Sequence, residues 1–179
     1  MTQVGSVYGE ALYELAKSEG LQESILEELK ALNESFRQEP GFIQLLSSHA
    51  ISKQERCKVL DDSFRGKINQ YVLNFLKILT EKGYMHHFSH CCEAYTRLYN
   101  EDNNILSVRA VTAVSLTEVQ SQALTQKLTR LTGKTILLEN RVDPTCLGGV
   151  RLDYDGQRLD DTISHRLDSV RELLKNTVL

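Results

Sequence analysis

Apolar residues recur at helical spacing through the first part of the chain and at a period of two soon afterwards. From Val4 to Lys17, the residues Val4, Tyr8, Ala11, Leu12 and Leu15 follow a helical repeat, and Gly20 supplies a stop. Leu21 to Gln38 repeats the pattern with Ile25, Leu29, Leu32 and Phe36, and Pro40 ends it. A short segment, FIQLLSS, follows. Ser52 to Glu55 (SKQE) then has the spacing of a capping box, in which hydroxyl and carboxylate satisfy opposite orphan backbone donors. The helix it starts is expected to bury Cys57, Leu60 and Phe64. Ile68, Tyr71, Val72, Phe75, Leu76 and Leu79 mark a fifth helix, the most apolar, closed by Gly83. A sixth is expected from about Tyr84 to Tyr99, with Met85, Phe88, Cys92, Tyr95 and Tyr99 on one stripe.

The polar run NEDNN, Asn100 to Asn104, breaks this pattern, and the period then changes. Leu106, Val108, Ala110, Thr112 and Val114 alternate along one face of a half-buried strand. Ser115 to Glu118 (SLTE) has capping-box spacing again, before a helix with Val119, Ala123, Leu124, Leu128 and Leu131 that ends at Gly133. Thr135 to Val142 is a second strand, and Val150–Tyr154 with Arg158–Leu159 flank a hairpin signal at Asp155-Gly156. A helix from about Thr162 to Leu174 closes the chain. The expectation is an α+β two-domain protein: a six-helix N-terminal bundle over 1–104 and a small C-terminal α/β domain over 105–179.

The hydrophobic content of 41%, the absence of tryptophan and the presence of only two prolines suit a helix-rich packed core. With a net charge of −3 there is no basic patch of the kind that marks a nucleic-acid binder, so none is expected as a partner. No apolar run approaches the about 20 residues that span a bilayer, and MTQVGSVYGEALYEL lacks the pattern of a secretory signal. Cys57, Cys91, Cys92 and Cys146 show no CxxC spacing. These features predict a soluble protein of a reducing cytoplasm.

One stretch invites a chemical reading. His86, His87, His90, Cys91 and Cys92 crowd into GYMHHFSHCCEAY. On a helix, His86 and His90 lie on the polar face, His87 and Cys91 on the flank and Cys92 on the apolar stripe. One straight helix therefore supplies at most two convergent ligands, whereas a tetrahedral site needs four. A metal- or thiol-dependent regulator built on residues 86–92 is the alternative function; core packing with solvated histidines is the simpler reading. Gly148-Gly149 lies in no phosphate-binding motif and suits a tight backbone approach or a positive φ. Asp153, Asp155, Asp160 and Asp161 lack a calcium-loop pattern; Asp155 fits a turn, and Asp160 or Asp161 a helix N-cap. No nucleophile–base arrangement or paired carboxylates emerge from spacing. No enzyme activity, cofactor or metal is expected.

What remains is surface. Tyr8, Ala11, Leu12 and Leu15 in the first helix, and Asn74, Phe75 and Ile78 in the fifth, exceed what one core stripe uses. Periodicity leaves two readings open: both helices are buried on several sides, or they form a groove for a partner helix.

The segment GKTILLENRVDPTCLGGVRLDYDGQRLDDTISHRLDSVRELL, Gly133 to Leu174, resembles the closing signature of the delta subunit of F-type ATP synthase, a family related to the mitochondrial oligomycin-sensitivity-conferring protein. YGEALYELA (Tyr8 to Ala16) is similar to that family's first-helix pattern, and NFLKILTEKG (Asn74 to Gly83) to its fifth-helix pattern. The chain departs from the family at Tyr154-Asp155-Gly156, at Asp160-Asp161-Thr162, and at Tyr84, where an arginine is common. The resemblance implies a non-catalytic stator subunit that joins the catalytic head to the peripheral stalk and resists torque during proton-driven ATP synthesis. It implies that the N-terminal helix of an alpha subunit sits on Tyr8, Ala11, Leu12, Leu15, Asn74 and Ile78, and that the C-terminal domain holds the b subunits. It also implies a peripheral location on the cytoplasmic face of the cell membrane, with membrane association only through the complex.

Overall fold

A computed structural model describes residues 3–48, 50–154 and 156–162. Among them the chain forms seven α-helices and a four-stranded sheet, an α+β fold. It divides into two compact units, Met1–Tyr99 and Asn100–Leu179.

In the first unit, α1 (Gln3–Glu19) ends where Gly20 turns left-handed at φ 69° and Leu21 N–H reaches back to the Ala16 carbonyl at 2.9 Å. Helix α2 (Gln22–Gln38) stops before Pro40, which opens a further short helix, α3 (Pro40–Ser47). Proline thus ends one helix and starts the next, because the first turn has no use for its missing N–H. The capping box opens α4 (Lys53–Phe64): Ser52 Oγ accepts from Glu55 N–H at 3.2 Å, and Glu55 Oε2 accepts from Ser52 N–H at 3.1 Å. Asn69 caps α5 (Gln70–Lys82), which Gly83 closes. A 3₁₀ turn, Met85–His87, precedes α6 (Phe88–Asp102), so the sixth helix starts later than its stripe predicts.

Ile25, Leu29, Leu60, Leu76, Leu79, Phe88 and Tyr95 are fully buried at the centre, beside an aromatic group of Phe36, Phe42, Phe64 and Phe88. Two faces differ from expectation. In α4, Arg56 is buried, whereas Cys57 and Phe64 are half-buried. In α1 the buried face is Gly5, Gly9, Leu12, Tyr13 and Ala16. Its small residues let α6 approach: a Cβ on Gly9 would lie 2.6 Å from the Cys91 carbonyl oxygen and 2.8 Å from Ala94 Cβ. A hydropathy pattern does not register a face lined by glycine.

In the second unit, β1 (Ile105–Thr112) leads through α7 (Glu118–Thr132) to β2 (Thr135–Val142), which pairs parallel to β1. Strand β3 (Val150–Tyr154) pairs antiparallel with β1, and β4 (Gln157–Asp160) antiparallel with β3, giving the order β2-β1-β3-β4. Leu106, Val108, Ala110, Ile136 and Leu152 form a core onto which Leu124 and Leu128 of α7 pack. The strand ends at Thr112, and Val114 is exposed. Val119, Ala123 and Leu131 are also exposed, so α7 packs fewer residues than its stripe marks.

The cap of α7 lies two residues later than the SLTE pattern predicts. Thr117 Oγ1 accepts from Gln120 N–H at 3.3 Å, and Gln120 Oε1 accepts from Thr117 N–H at 2.9 Å. Thr117→Ala should therefore cost about 1 kcal/mol in denaturant unfolding, with Ser115→Ala near neutral. Equal costs at the two positions would contradict the assigned frame.

Gly149 meets both of its expected demands. Its φ is +80°, and a Cβ there would run into the Asp161 carbonyl oxygen and lie 3.0 Å from Thr162 Cα. Asp160 Oδ1 accepts from Thr162 N–H at 3.0 Å and from its hydroxyl at 2.7 Å. The expected closing helix and Asp155 lie outside the described residues, apart from Thr162.

Candidate functional site

Helices α1 and α5 run side by side in opposite directions, tied at both ends by tyrosines. The Tyr8 ring, early in α1, meets Tyr84, just past α5, edge-on at 5.8 Å and 64°. At the other end Tyr71, in the first turn of α5, lies beside Glu19, the last residue of α1. The Glu19 charge, then burial, then a hydrogen bond to that carboxylate hold the Tyr71 phenol above its usual range. Ala11 and Leu15 of α1 and Asn74 and Ile78 of α5 lie along the helices between these ties.

These residues are placed unequally. Ala11 and Asn74 are exposed, Leu15 is 40% and Ile78 45% exposed, and Tyr8 is half-buried. Leu12 belongs to the core at 4% exposure: it faces inward with Tyr13 and Ala16 and supports the surface from beneath. Asn74 Oδ1 accepts from Gln70 Nε2 at 2.9 Å. Val7, 58% exposed, extends the apolar area of α1 and was not among the sequence candidates. Its only signal is that it is an apolar residue off the core stripe.

The histidine–cysteine stretch is dispersed. His86 is exposed, His87 and His90 are half-buried with rings 6.2 Å apart, and Cys91 and Cys92 are buried. Burial pushes the Cys91 thiol up to about 11, and burial pushes Cys92 higher still. Such thiols are poor nucleophiles and poor metal ligands, because both roles need the thiolate. Among the described residues, no group of three or more His, Cys, Asp or Glu side chains converges in a way that could hold a metal ion. The metal- or thiol-dependent alternative therefore finds no support.

The second unit carries a different kind of surface. Glu139, Arg109, Asp153 and Arg158 are register partners across all four strands, a row of alternating charge. Arg109 Nε lies 3.2 Å from Glu139, and Arg158 Nε 3.0 Å from Asp153, which Arg151 also approaches at 3.5 Å. The row borders an open trough of about 700 Å³, lined also by Leu137, Tyr154 and Gln157. Asp153 is thus occupied by arginines, which accounts for one member of the acidic group considered as a cation site.

Fold and surface together define an α+β protein with an exposed apolar strip along two antiparallel helices. The ATP synthase delta (OSCP) subunit family matches residues 4–174. The chain is 32% identical to ATP synthase subunit delta of Alkaliphilus oremlandii (strain OhILAs) over 176 residues, covering 98% of each chain. It is 29% identical to the subunit of the same name from Clostridioides difficile (strain 630), covering 98% of this chain and 97% of that one. Its fold matches a chain of the Toxoplasma gondii mitochondrial ATP synthase hexamer with a TM-score of 0.79 at 20% identity, over 97% of this chain and 98% of that one. The chain belongs to the ATP synthase delta (OSCP) subunit family, the linking component of the peripheral stalk.

Proposed function

We propose that the chain fastens the catalytic head of an F-type ATP synthase to its peripheral stalk through two separate attachments, without chemistry of its own. Residues 1–104, a six-helix bundle domain, receive the N-terminal helix of an alpha subunit on the α1–α5 surface. Residues 105–179, an α/β domain, hold the C-terminal ends of the b subunits. The observation that carries the first attachment is the strip of half-buried Tyr8 with exposed Ala11, Leu15 and Ile78, framed by the two tyrosine contacts. A partner helix presenting apolar residues at i, i+3, i+4 and i+7 matches such a strip, and burying them gives attachment without catalysis. Two attachments on one chain act as a tether, so each raises the effective concentration of the other. Among the described residues no helix is long and apolar enough to cross a membrane. In this reading the chain is peripheral, on the cytoplasmic face, and reaches the membrane only through the complex.

Calorimetric titration of the full-length chain with a peptide from the alpha N-terminus tests the first attachment. One-to-one binding is expected, and no heat at high micromolar peptide would remove it. Ala11→Asp puts a charge at the middle of the strip, where seating the partner must desolvate it; affinity should fall at least about tenfold. Ala11 is exposed, so the variant should keep its helical circular dichroism. Unchanged affinity in that folded variant would take Ala11 out of the contact.

A further inference from the structure

Resting on the docking reading above, we propose that Tyr84 is a positioning residue: it fixes the ring of Tyr8 and so sets how a partner helix seats at that end of the strip. Its own place is dictated by the core. Gly83 turns left-handed at φ 74°; its N–H donates to Thr80 O at 3.2 Å, while Tyr84 N–H donates to Leu79 O at 2.7 Å. This double closure leaves the chain little freedom at the end of α5. Leu79 and Thr80 are fully buried, so the closure is anchored in the packed interior.

From that anchor the Tyr84 ring neighbours two others. It meets Tyr8 edge-on, in the arrangement aromatic pairs favour. Its centroid also lies 6.1 Å from that of His87, whose 3₁₀ turn Met85–His87 is pinned by the fully buried Met85. Tyr84 is therefore backed by rigid structure and faces a side chain on a different helix. A tyrosine on an exposed helix samples several rotamers; a ring held against it removes the ones it would occupy. Tyr8, Ala11 and Leu15 follow one another at i, i+3 and i+7, so Tyr8 opens this row and, on the docking reading, its ring is the wall against which the partner seats. Between the Tyr8 and Glu19 ends, α1 rises about 16 Å, room for roughly three turns of a partner helix. The position of the wall then selects the partner's register along those turns.

A double-mutant cycle on the full-length chain, read by titration with the alpha N-terminal peptide, tests this. Tyr84→Phe keeps the ring and should bind within twofold of the parent. Tyr84→Ala should bind about three- to tenfold more weakly, the range of one aromatic pair. In a Tyr8→Ala background the same change should cost less than twofold, since its target is gone. Tyr84→Leu keeps bulk without an aromatic edge and should likewise bind about three- to tenfold more weakly, which keeps the test decisive should the alanine variant unfold. Additive effects of Tyr8→Ala and Tyr84→Ala would overturn the proposal, as would parental affinity in Tyr84→Leu or Tyr84→Ala. Absence of binding by the parent chain would overturn the docking reading and this inference together; loss of coupling alone overturns only the inference.

Discussion

Gly9→Val should lower the stability of the helical unit by about 2–3 kcal/mol, the range of core overpacking. A Cβ at Gly9 would lie 2.6 Å from the Cys91 carbonyl oxygen and 2.8 Å from Ala94 Cβ. The oxygen is backbone inside α6 and cannot rotate aside as a side chain would, so the two helices must part. Parting them loosens contacts on either side: Tyr13 against Tyr95 at 5.2 Å, and Arg97 against Glu10 at 3.5 Å. Valine is a somewhat better helix former than glycine, which returns only a few tenths of a kcal/mol. Gly9→Ala is the instructive comparison. Its propensity gain of about 1 kcal/mol opposes the same clash without the extra methyl groups, so its net loss should be smaller. Urea unfolding followed by far-ultraviolet circular dichroism measures both. A valine variant with the parental midpoint would mean that α1 and α6 are not in tight contact. The change should also weaken peptide binding, because Tyr8, Ala11 and Leu15 ride on the helix that shifts.

The same contact explains what the sequence conceals. Leucine, isoleucine and phenylalanine mark a buried face wherever they repeat, so α2 and α5 are legible from Ile25, Leu29, Leu32 and Phe36, and from Val72, Phe75, Leu76 and Leu79. The alternation of Leu106, Val108 and Ala110 likewise announces β1. A face made of Gly5, Gly9 and Ala16 has no such mark, since its burial follows from small size rather than apolar area. Arg56 is missed for the opposite reason: its charge argues against burial until two helix ends are brought to it by the fold. Thr117 and Ser115 are equally good caps in one dimension, and only the position of the first helical turn separates them.

At the candidate surface, surplus apolar residues on the first and fifth helices were visible as surplus, and nothing in their spacing could tell a second buried side from an exposed strip. The structure places Ala11, Leu15 and Ile78 outside and Leu12 inside, a division of one turn of α1 that periodicity is too coarse to make. The histidine–cysteine stretch errs in the other direction. Its residue types suggest chemistry, while its place at the junction of α5 and α6 gives those residues to packing and to the aromatic contact beside Tyr84.

Arg56→Ala should be among the most damaging single changes in the helical unit, at about 3 kcal/mol. Arg56 is 5% exposed, and its Nη1 donates to the Leu46 carbonyl at 2.8 Å and to the Thr80 carbonyl at 3.5 Å. Leu46 lies in the last turn of α3 and Thr80 in the last turn of α5. Helix C-termini carry partial negative charge, so one guanidinium serves two such ends: it is the partner of the Leu46 carbonyl and a second, longer one for the Thr80 carbonyl, which already accepts from Gly83 N–H. A charged hydrogen bond of this kind contributes about 1.5–3 kcal/mol, and the packed aliphatic stem about 0.8 kcal/mol per methylene. Against this stands the cost of burying the charge, part of which is uncompensated because Nε has no hydrogen-bond partner among the described residues. Three replacements separate the terms. Arg56→Met keeps the stem and loses the donor, and should cost about 1–2 kcal/mol. Arg56→Lys keeps the charge but not the planar fork, and should fall near the methionine variant. The alanine variant loses both stem and donor, and its melting temperature should drop by on the order of 10 °C for a unit of this size. If Arg56→Met proves as stable as the parent, desolvation has cancelled the hydrogen bonds. The buried guanidinium would then be tolerated by the fold rather than holding α3, α4 and α5 together.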